Sequence, residues 1–415
     1  MLCGGVVNVY ESLVRLLLAH APVLTIVSYV ASPLLAIVSF VLNRLDRKAL
    51  RKQAEALGQA RAELGQAQST IASQRQEIDS ARELVTVREA RVEKLERDLR
   101  DVTEGSQELW KLRVAKAFPD CINWRRDPNG AKLITIGNLK GGVGKTTLAA
   151  NFAAYISETL DKPVLLIDLD YQGSLSNMLM LSIGMEEVES RVDWLFDEAA
   201  SLATLERARV HLVRKLNRGW LVPANYTFAQ LENRLLLQWL LQDDGGLDVR
   251  YRLANALLRP EVRRSYSAII FDMPPRMTLG SINALVASHY FIVPTILDSL
   301  SVEAVSQFLT NVRAIKSDLA LDVELAGIVG MMTRQVEPSE RERRGLELAK
   351  EGGYAWRPDT DFVFKTTLPR RVDIAGAAGE DIAYFLSDSQ GKPLRELFDP
   401  LFEEICTSVW RGNGP

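Results

Sequence analysis

Residues 133–147 read LITIGNLKGGVGKTT, and this stretch decides how the rest of the chain is interpreted. Its first four residues are apolar or β-branched, which is typical of a buried parallel strand. A glycine-rich turn follows, and the chain continues from Leu148 with a helical pattern. A strand, a glycine turn and a helix N-terminus form a cradle for phosphate, because backbone N–H groups can approach the anion and the helix dipole attracts it. In this cradle Lys145 would add a positive charge, and Thr146 would offer its hydroxyl to Mg²⁺.

The loop departs from the general phosphate-binding pattern at its first position. The first glycine of that pattern would fall at Leu139, and a second lysine, Lys140, opens the glycine run instead. The form KGGVGKTT resembles the deviant Walker motif of the ParA/MinD family of P-loop ATPases. The resemblance implies that ATP is held by eight consecutive residues: Lys140, Gly141, Gly142, Val143, Gly144, Lys145, Thr146 and Thr147.

Later segments resemble further motifs of the family, in the family's order. Residues 164–176, VLLIDLDYQGSLS, resemble its second motif, although Tyr171 stands where proline is usual. Residues 267–275 look like its Walker B segment, and residues 366–371 resemble its late Ile-Pro-Arg segment. The resemblance covers residues 132–411, about two thirds of the chain.

Strands and helices alternate from Lys132 onward, which is the signature of a parallel sheet covered on both faces. The sequence therefore predicts an α/β fold: a parallel-sheet P-loop NTPase domain over residues 132–411. Residues 184–218 are predicted to be helical. In such sheets ligands lie at the carboxyl ends of the strands, where Asp168, Asp170 and Asp272 are expected.

The resemblance also implies chemical roles. Asp170 would orient the attacking water, and Lys140 would reach across a dimer to the nucleotide of the partner copy. The expected catalytic residues are thus Lys140, Lys145 and Asp170, and the expected Mg²⁺ residues are Thr146, Asp168 and Asp272. The adenine base is expected near Met332, Arg334, Pro369 and Arg370.

Residues 22–42 contain no charged side chain and are long enough to span a bilayer as a helix. Only Arg15 precedes this run and most nearby basic residues follow it, which disfavours a secretory signal and predicts a cytoplasmic location for the rest of the chain. We therefore expect a membrane anchor over residues 1–43 in the inner (cytoplasmic) membrane, as a single-pass protein. The alternative for residues 6–18 is a second apolar helix that lies at the interface or forms a hairpin with the span.

Residues 44–104 are rich in Ala, Gln, Glu and Arg, and every seventh residue from Leu50 to Leu99 is apolar. This heptad spacing predicts a coiled coil with one strong seam, while the companion d positions are only half apolar. A single solvated helix is the alternative. Residues 105–131 are predicted to be a joint before the ATPase domain.

The bulk composition points to no further chemistry. The formal net charge is −3, so no overall field attracts nucleic acid, and the three cysteines are too far apart in sequence to suggest a metal cluster. DNA is a possible but disfavoured partner. It would use basic groups at Arg263–Arg264, at Arg370–Arg371 and at Arg341, Arg343 and Arg344.

These observations predict a Mg²⁺-dependent ATPase that dimerises around ATP and through its coiled coil. It would act as a membrane-anchored switch that recruits or positions an unidentified protein partner, in segregation, envelope machinery or antiviral defence. One alternative is an ATP-binding scaffold with little turnover. Another is a bacterial tyrosine kinase, which the absence of tyrosine after Tyr384 disfavours.

Overall fold

The structure, a computed structural model, describes residues 47–103, 120–185, 188–213, 215–241, 246–319, 321–335, 338–377, 379 and 381–410. The chain divides into two units, residues 1–97 and 98–415. The described part of the first unit is a single helix, α1 (Arg47–Thr103), whose last turns belong to the second unit.

The second unit is an α/β domain. Its strands are β1 (Lys132–Ile136), β2 (Val164–Asp168), β3 (Val210–His211), β4 (Gly219–Val222), β5 (Ala268–Asp272), β6 (Tyr290–Ile296), β7 (Glu324–Thr333) and β8 (Leu368–Pro369). Its helices are α2 (Cys121–Trp124), α3 (Lys145–Thr159), α4 (Ser174–Ser182), α5 (Leu202–Ala208), α6 (Thr227–Leu241), α7 (Arg252–Leu257), α8 (Pro260–Arg263), α9 (Leu279–Ala287), α10 (Ser299–Asp318), α11 (Glu340–Trp356), α12 (Val372–Ala377) and α13 (Arg395–Val409). Short 3₁₀ turns cover Val192–Phe196, Val249–Tyr251 and Ala383–Phe385.

The strands form one sheet in the order β3-β4-β2-β5-β1-β6-β7-β8. β3 is antiparallel to β4, and the other neighbouring strands pair in parallel. The register places Asp272 beside Ile136 on one side and beside Asp168 on the other. The end of β1, from which the glycine loop leaves, therefore lies next to two carboxylates, as the predicted fold class requires.

Alternate residues of each strand point to opposite sides of the sheet, so both faces carry apolar side chains. Helices cover these side chains on both faces. On one face Ile134, Leu166 and Ile270 belong to a buried cluster with residues of α3 and α13. On the other face Leu133 and Leu165 belong to a second buried cluster with residues of α7, α9 and α10. The prediction of a parallel sheet with helices on both faces is confirmed.

The region 184–218 differs from its predicted helical structure. It contains a 3₁₀ turn, the short helix α5 and the two-residue edge strand β3. The imidazole of His211 stacks on the Trp220 ring at 4.4 Å, and Arg209 lies 4.0 Å over the centre of the same ring. Such contacts join residues distant in sequence, so local periodicity could not reveal the strand.

The predicted localisation in the cytoplasmic membrane needs correction. Within the described residues, which begin at Arg47, we find no helix that combines the length and the apolarity needed to cross a bilayer. The longest described helix, α1, carries charged residues throughout its length. The stretch 22–42, on which the anchor was predicted, lies outside the described residues.

The end of the predicted joint is fixed to the domain by Arg263. This arginine is fully buried, and its guanidinium donates to the backbone carbonyls of Trp124, Arg125, Asp127 and Ala131. A buried guanidinium requires such acceptors, because an unpaired one would be costly to desolvate. Residues 105–119 of the joint lie outside the described residues, so its predicted boundaries stay predictions.

His289 lies beside this segment and gives a pH-dependent prediction. Its Nδ1 accepts from the Leu133 N–H at 3.1 Å, and its Nε2 lies 3.1 Å from the carbonyl oxygen of Arg125. A carbonyl only accepts, so the ring is neutral with its proton on Nε2. Burial, followed by the charges of Arg263 and Arg125, lowers the pKa of His289 well below its usual value.

Because the unfolded chain takes up a proton near pH 6.5 and the folded chain does not, stability from His289 is present above that pH and is lost as the pH falls. We expect a loss of about 2 kcal/mol between pH 6.5 and 5.0. A His289→Gln variant can keep both hydrogen bonds, so its loss over the same range should be smaller. Urea unfolding of both proteins over a pH series measures this loss. An equal change in the free energy of unfolding with pH in the two proteins would contradict the prediction. Burial raises the pKa of Asp168 to about 7, so this residue changes the stability with the opposite sign. Because both proteins contain Asp168, its contribution cancels when they are compared.

Candidate functional site

The glycine loop connects β1 to the first turn of α3. Gly142 and Gly144 have φ angles of 71° and 88°, in the left-handed region that favours glycine. A Cβ atom at Gly144 would also lie 2.6 Å from the Cε atom of Met331, so a larger residue there would require the Met331 side chain to move. Gly144 is the N-cap of α3, which points the helix N-terminus into the loop.

Lys145 is the first residue of α3 and is almost completely buried. Its Nζ donates to the backbone carbonyl of Lys140 at 3.0 Å, so the side chain curls back over the loop. Burial lowers the pKa of Lys145, whereas the charges of Asp272 and Asp170 oppose that shift. The ammonium is thus held against the backbone of the glycine loop.

The predicted metal residues Thr146 and Asp272 are in direct contact. Thr146 Oγ1 donates to Asp272 Oδ2 at 2.7 Å. The other carboxylate oxygen, Oδ1, is buried and has no hydrogen-bond partner among the described residues. Burial, and then the charge of Asp168, raises the pKa of Asp272 well above its usual value. A hydroxyl beside an unsatisfied buried carboxylate oxygen suits a hard cation such as Mg²⁺, so these two residues fit the ion.

Asp168 has a different environment. Its Oδ2 accepts from both the backbone N–H and the hydroxyl of Ser176, and its Oδ1 accepts from the Asp170 N–H. The Ser176 hydroxyl in turn accepts from the Ala224 N–H. Both oxygens of Asp168 therefore hold the loop after β2 and the start of α4, and its direct contact with a metal stays a prediction.

Asp170 lies in the turn that follows β2. Its Oδ1 accepts from the Gln172 N–H at 3.0 Å, and its side chain is half-buried. The next residue, Tyr171, stacks under the guanidinium of Arg276 at 4.4 Å, and its ring lies 6.3 Å from that of Tyr226. The tyrosine that replaces the usual proline is therefore packed against the loop that follows β5.

Lys140 is held by its own chain. Its Nζ lies 2.6 Å from Ser301 Oγ and 3.4 Å from Asp298 Oδ1, and Asp298 is the N-cap of α10. Its backbone N–H donates to Asn138 Oδ1, while the Asn138 amide donates to the carbonyl of Pro294. In this state the lysine faces α10 within one protomer.

The four residues predicted to contact adenine lie together at the ends of β7 and β8. Met332 has a φ of 56° and borders Gly144, since its Cε would be 3.9 Å from a Cβ there. The Arg370 N–H donates to the Thr333 carbonyl, beside Pro369. The Arg334 N–H donates to Glu342 Oε1. Met332 thus lies beside the glycine loop, and the contact of all four residues with a base stays a prediction.

Sequence reasoning missed Asn138, Asp298 and Ser301, which contact Lys140, and Arg276, which contacts Tyr171. One local signal was available for Asp298. It accepts from the Ser301 N–H at 2.7 Å, and an aspartate before a helical pattern is a common N-cap. Asn138 is only two residues from Lys140, whereas the contacts of Lys140 with Ser301 and of Arg276 with Tyr171 join segments far apart in sequence.

Comparison with known proteins gives a consistent result. Residues 131–325 match the family model described as AAA domain. The sporulation initiation inhibitor protein Soj of Bacillus subtilis is 32% identical over 270 residues, which cover 65% of this chain and 92% of Soj. The cell division protein PomZ of Myxococcus xanthus is 26% identical over 292 residues, which cover 70% of this chain and 81% of PomZ. The solved structure of apo McdA from Cyanothece has a TM-score of 0.49 and 20% identity, and it covers 68% of this chain and 98% of that one.

The glycine loop with its two lysines, the carboxylates at the ends of β2 and β5, and the match to nearly all of Soj agree with one another. This chain belongs to the ParA/MinD type of P-loop ATPases.

Proposed function

We propose that this protein is a Mg²⁺-dependent ATPase that works as a molecular switch. ATP pairs two copies of the ATPase domain, the pair recruits or positions a protein partner, and hydrolysis separates the two domains. One observation carries the proposal: the buried ammonium of Lys145 and the Thr146–Asp272 pair, with its unsatisfied oxygen, meet at one edge of the sheet.

Binding of the triphosphate follows from the loop. The Lys145 ammonium donates to the neutral carbonyl of Lys140, and an anionic phosphate oxygen is a stronger acceptor for it. The ammonium can therefore exchange that carbonyl for phosphate without leaving the loop. The backbone N–H groups of residues 141–144 and the start of α3 supply further positive potential.

The metal would be held by Thr146 and Asp272. The hydroxyl of Thr146 would be available as a ligand once it no longer donates to Asp272, and the buried Oδ1 of Asp272 would gain the partner it lacks. A bound Mg²⁺ would supply positive charge that offsets the negative charge developing during phosphoryl transfer.

Asp170 is the residue that we propose orients the attacking water. Asp168 supports it, because its Oδ1 binds the Asp170 backbone N–H and its Oδ2 fixes the start of α4. The fully buried carboxylate of Asp168 would therefore position the loop, and the half-buried carboxylate of Asp170 would face the substrate.

Lys140 would act across the pair. In a single protomer its ammonium binds Ser301 and Asp298, and in the proposed pair it would leave them for the triphosphate of the other copy. A cation supplied in trans stabilises the transferring group only when two domains meet, as an arginine finger does. Hydrolysis would thus depend on pairing.

A complementation experiment tests this arrangement. Lys140→Ala and Asp170→Ala should each hydrolyse ATP at least about 100-fold more slowly than wild type. In a mixed pair, the Lys140→Ala copy keeps its own Asp170 and receives Lys140 from the other copy. An equimolar mixture should therefore recover phosphate release, at up to about a quarter of the wild-type rate if copies pair at random and the mixed pair has one working site.

Mixtures of each variant with wild type are the controls, because they show whether the variant copies still form pairs. A mixture of the two variants that stays as inactive as either alone, although it forms mixed pairs, would contradict action in trans.

Phosphate release by the purified protein in Mg²⁺ and in EDTA tests the proposed function itself. We expect turnover that requires Mg²⁺. Tight ATP binding with no phosphate release in either condition would instead support a scaffold without turnover.

DNA binding is not part of the proposal, because several arginines that could support it are engaged. Arg263 is buried against backbone carbonyls. Arg344 pairs with Glu340 at 2.9 Å, and Arg371 pairs with Asp388 at 2.9 Å. Partners for these side chains reduce the positive charge that a phosphate backbone would meet.

A further inference from the structure

The long helix α1 carries an apolar seam that its own protomer leaves partly exposed. We call the a seam the residues at every seventh position: Leu50, Leu57, Leu64, Ile71, Ile78, Val85, Val92 and Leu99. The exposed fractions of Leu64, Val85 and Val92 are 38%, 37% and 53%. Apolar side chains in a strict heptad along one helix face favour burial against another helix.

We propose that the a seam packs against the same seam of a second copy of this chain, with the two helices parallel and in register. The pairing itself does not depend on ATP. Its consequence for turnover rests on the proposed function.

Charges beside the seam favour this arrangement. In a parallel pair each g residue faces the e residue five positions later on the partner. Glu77 then faces the partner's Arg82, and Arg91 faces the partner's Glu96. Across the seven such positions between Ala56 and Thr103 the sequence places no like charges together.

Other arrangements bring like charges together. A slip by one heptad would place Glu77 opposite the partner's Glu89. A fully overlapped antiparallel pair would place Glu77 opposite the partner's Glu77 and Arg75 opposite the partner's Arg75. Like charges at these flanking positions select against a register, as they do in natural coiled coils.

The d positions make the pair moderate in strength. Ala60, Ala67 and Ala81 are small enough for close packing, but Arg88 would face its counterpart. A long arginine side chain can extend from the seam to water, so the position weakens the pair without preventing it. Gly58 and Gly65 occupy the b position, away from the seam, and a Cβ atom at either would meet open space.

Paired helices change how the ATPase domains meet. Two domains on paired stalks are already linked, so their ATP-dependent contact becomes intramolecular, at an effective concentration set by the chain between stalk and domain. The ATP turnover per copy should then be independent of protein concentration. Unlinked domains would show turnover that rises with concentration.

Disulfide trapping tests the orientation in the full chain. Leu57→Cys and Val92→Cys are made separately in a Cys3→Ser background, with Cys121 and Cys406 buried. Both should form disulfide-linked dimers on mild oxidation without ATP, whereas the outward-facing Glu55→Cys and Ala90→Cys should form far fewer. Two positions 35 residues apart cannot both pair with themselves in antiparallel helices. Trapping at only one of them, or at neither, would overturn the proposal.

A second measurement tests whether substitutions in the a and d positions change how strongly the two helices pair. Arg88→Leu should shift the monomer–dimer equilibrium toward dimer in sedimentation without ATP, and Ile78→Glu should shift it toward monomer. Gln76→Leu and Gln76→Glu, on the outer face, are the matched controls and should leave it unchanged. Equal shifts for seam and control variants would overturn the proposal.

Turnover provides the link to function. We expect wild-type turnover per copy to stay constant over a hundredfold dilution and that of Ile78→Glu to fall. A fall in wild type would overturn the intramolecular consequence even where trapping succeeds. An absence of turnover in every variant, with trapping intact, would instead refute the proposed ATPase and leave the paired helix standing.

Discussion

Lys145→Ala should weaken ATP binding by at least about 100-fold, equivalent to about 2.7 kcal/mol. The buried ammonium lies over the glycine loop, 3.0 Å from the Lys140 carbonyl, where it can reach phosphate oxygens. Alanine removes that charge but favours the helix, so α3 should still begin at residue 145. Isothermal titration with a non-hydrolysable ATP analogue and Mg²⁺ measures the effect.

Lys162→Ala is the matched control. Lys162 is exposed and precedes β2, at the opposite edge of the sheet from the glycine loop. Its removal deletes the same charge from the protein and should change affinity by less than about twofold. Circular dichroism should show that both variants keep the wild-type fold. If Lys145→Ala bound the analogue as tightly as the control, the loop would not be the nucleotide site.

The sequence was sufficient to predict most of the sheet. Of the eight strands in the described residues, six were expected from apolar runs, because strands buried on both faces need uninterrupted apolar residues. β8, like β3, is only two residues long and was not expected. β3 was missed because two residues make no pattern, and its position depends on β4 and on the stack of His211 with Trp220. Local periodicity carries no information about such contacts.

The site was predictable to the extent that motifs are continuous in sequence. The contact of Thr146 with Asp272 follows from the carboxyl ends of β1 and β5 lying side by side. The contact of Lys140 with Ser301 was not foreseen, because 161 residues separate the two and no local pattern connects them. Arg263 shows the same limit: it was considered as part of a basic surface, and it is buried.

The difference between Asp168 and Asp170 also required the structure. In the sequence both carboxylates close the same apolar run, so sequence alone assigned both to the edge where nucleotide binds. Hydrogen bonds occupy both side-chain oxygens of Asp168, whereas one described hydrogen bond, from the Gln172 N–H, engages the Asp170 carboxylate. The two residues therefore differ in what they can offer to a substrate.

Asp170→Ala is expected to separate binding from hydrolysis. ATP affinity should stay within about threefold of wild type, because the glycine loop and Lys145 are intact. Phosphate release under single-turnover conditions should slow by about 100-fold to 1,000-fold, since a carboxylate that positions or deprotonates water contributes on this scale. In an Ile78→Glu background, in which the α1 helices are not expected to pair, copies that bind ATP without cleaving it should remain paired, which sedimentation in Mg²⁺-ATP can detect.

Asp170→Asn makes the test specific for charge. Its amide oxygen can still accept from the Gln172 N–H, so the turn after β2 keeps its hydrogen bond while the carboxylate is lost. If Asp170 acts on water, the Asn and Ala variants should be slowed alike, although only Ala loses the turn contact. A slow Ala variant with a fast Asn variant would mean that the turn matters and the charge does not. Normal hydrolysis by both variants would mean that Asp170 does not orient the attacking water. The roles of the carboxylates at the ends of β2 and β5 would then have to be reassigned.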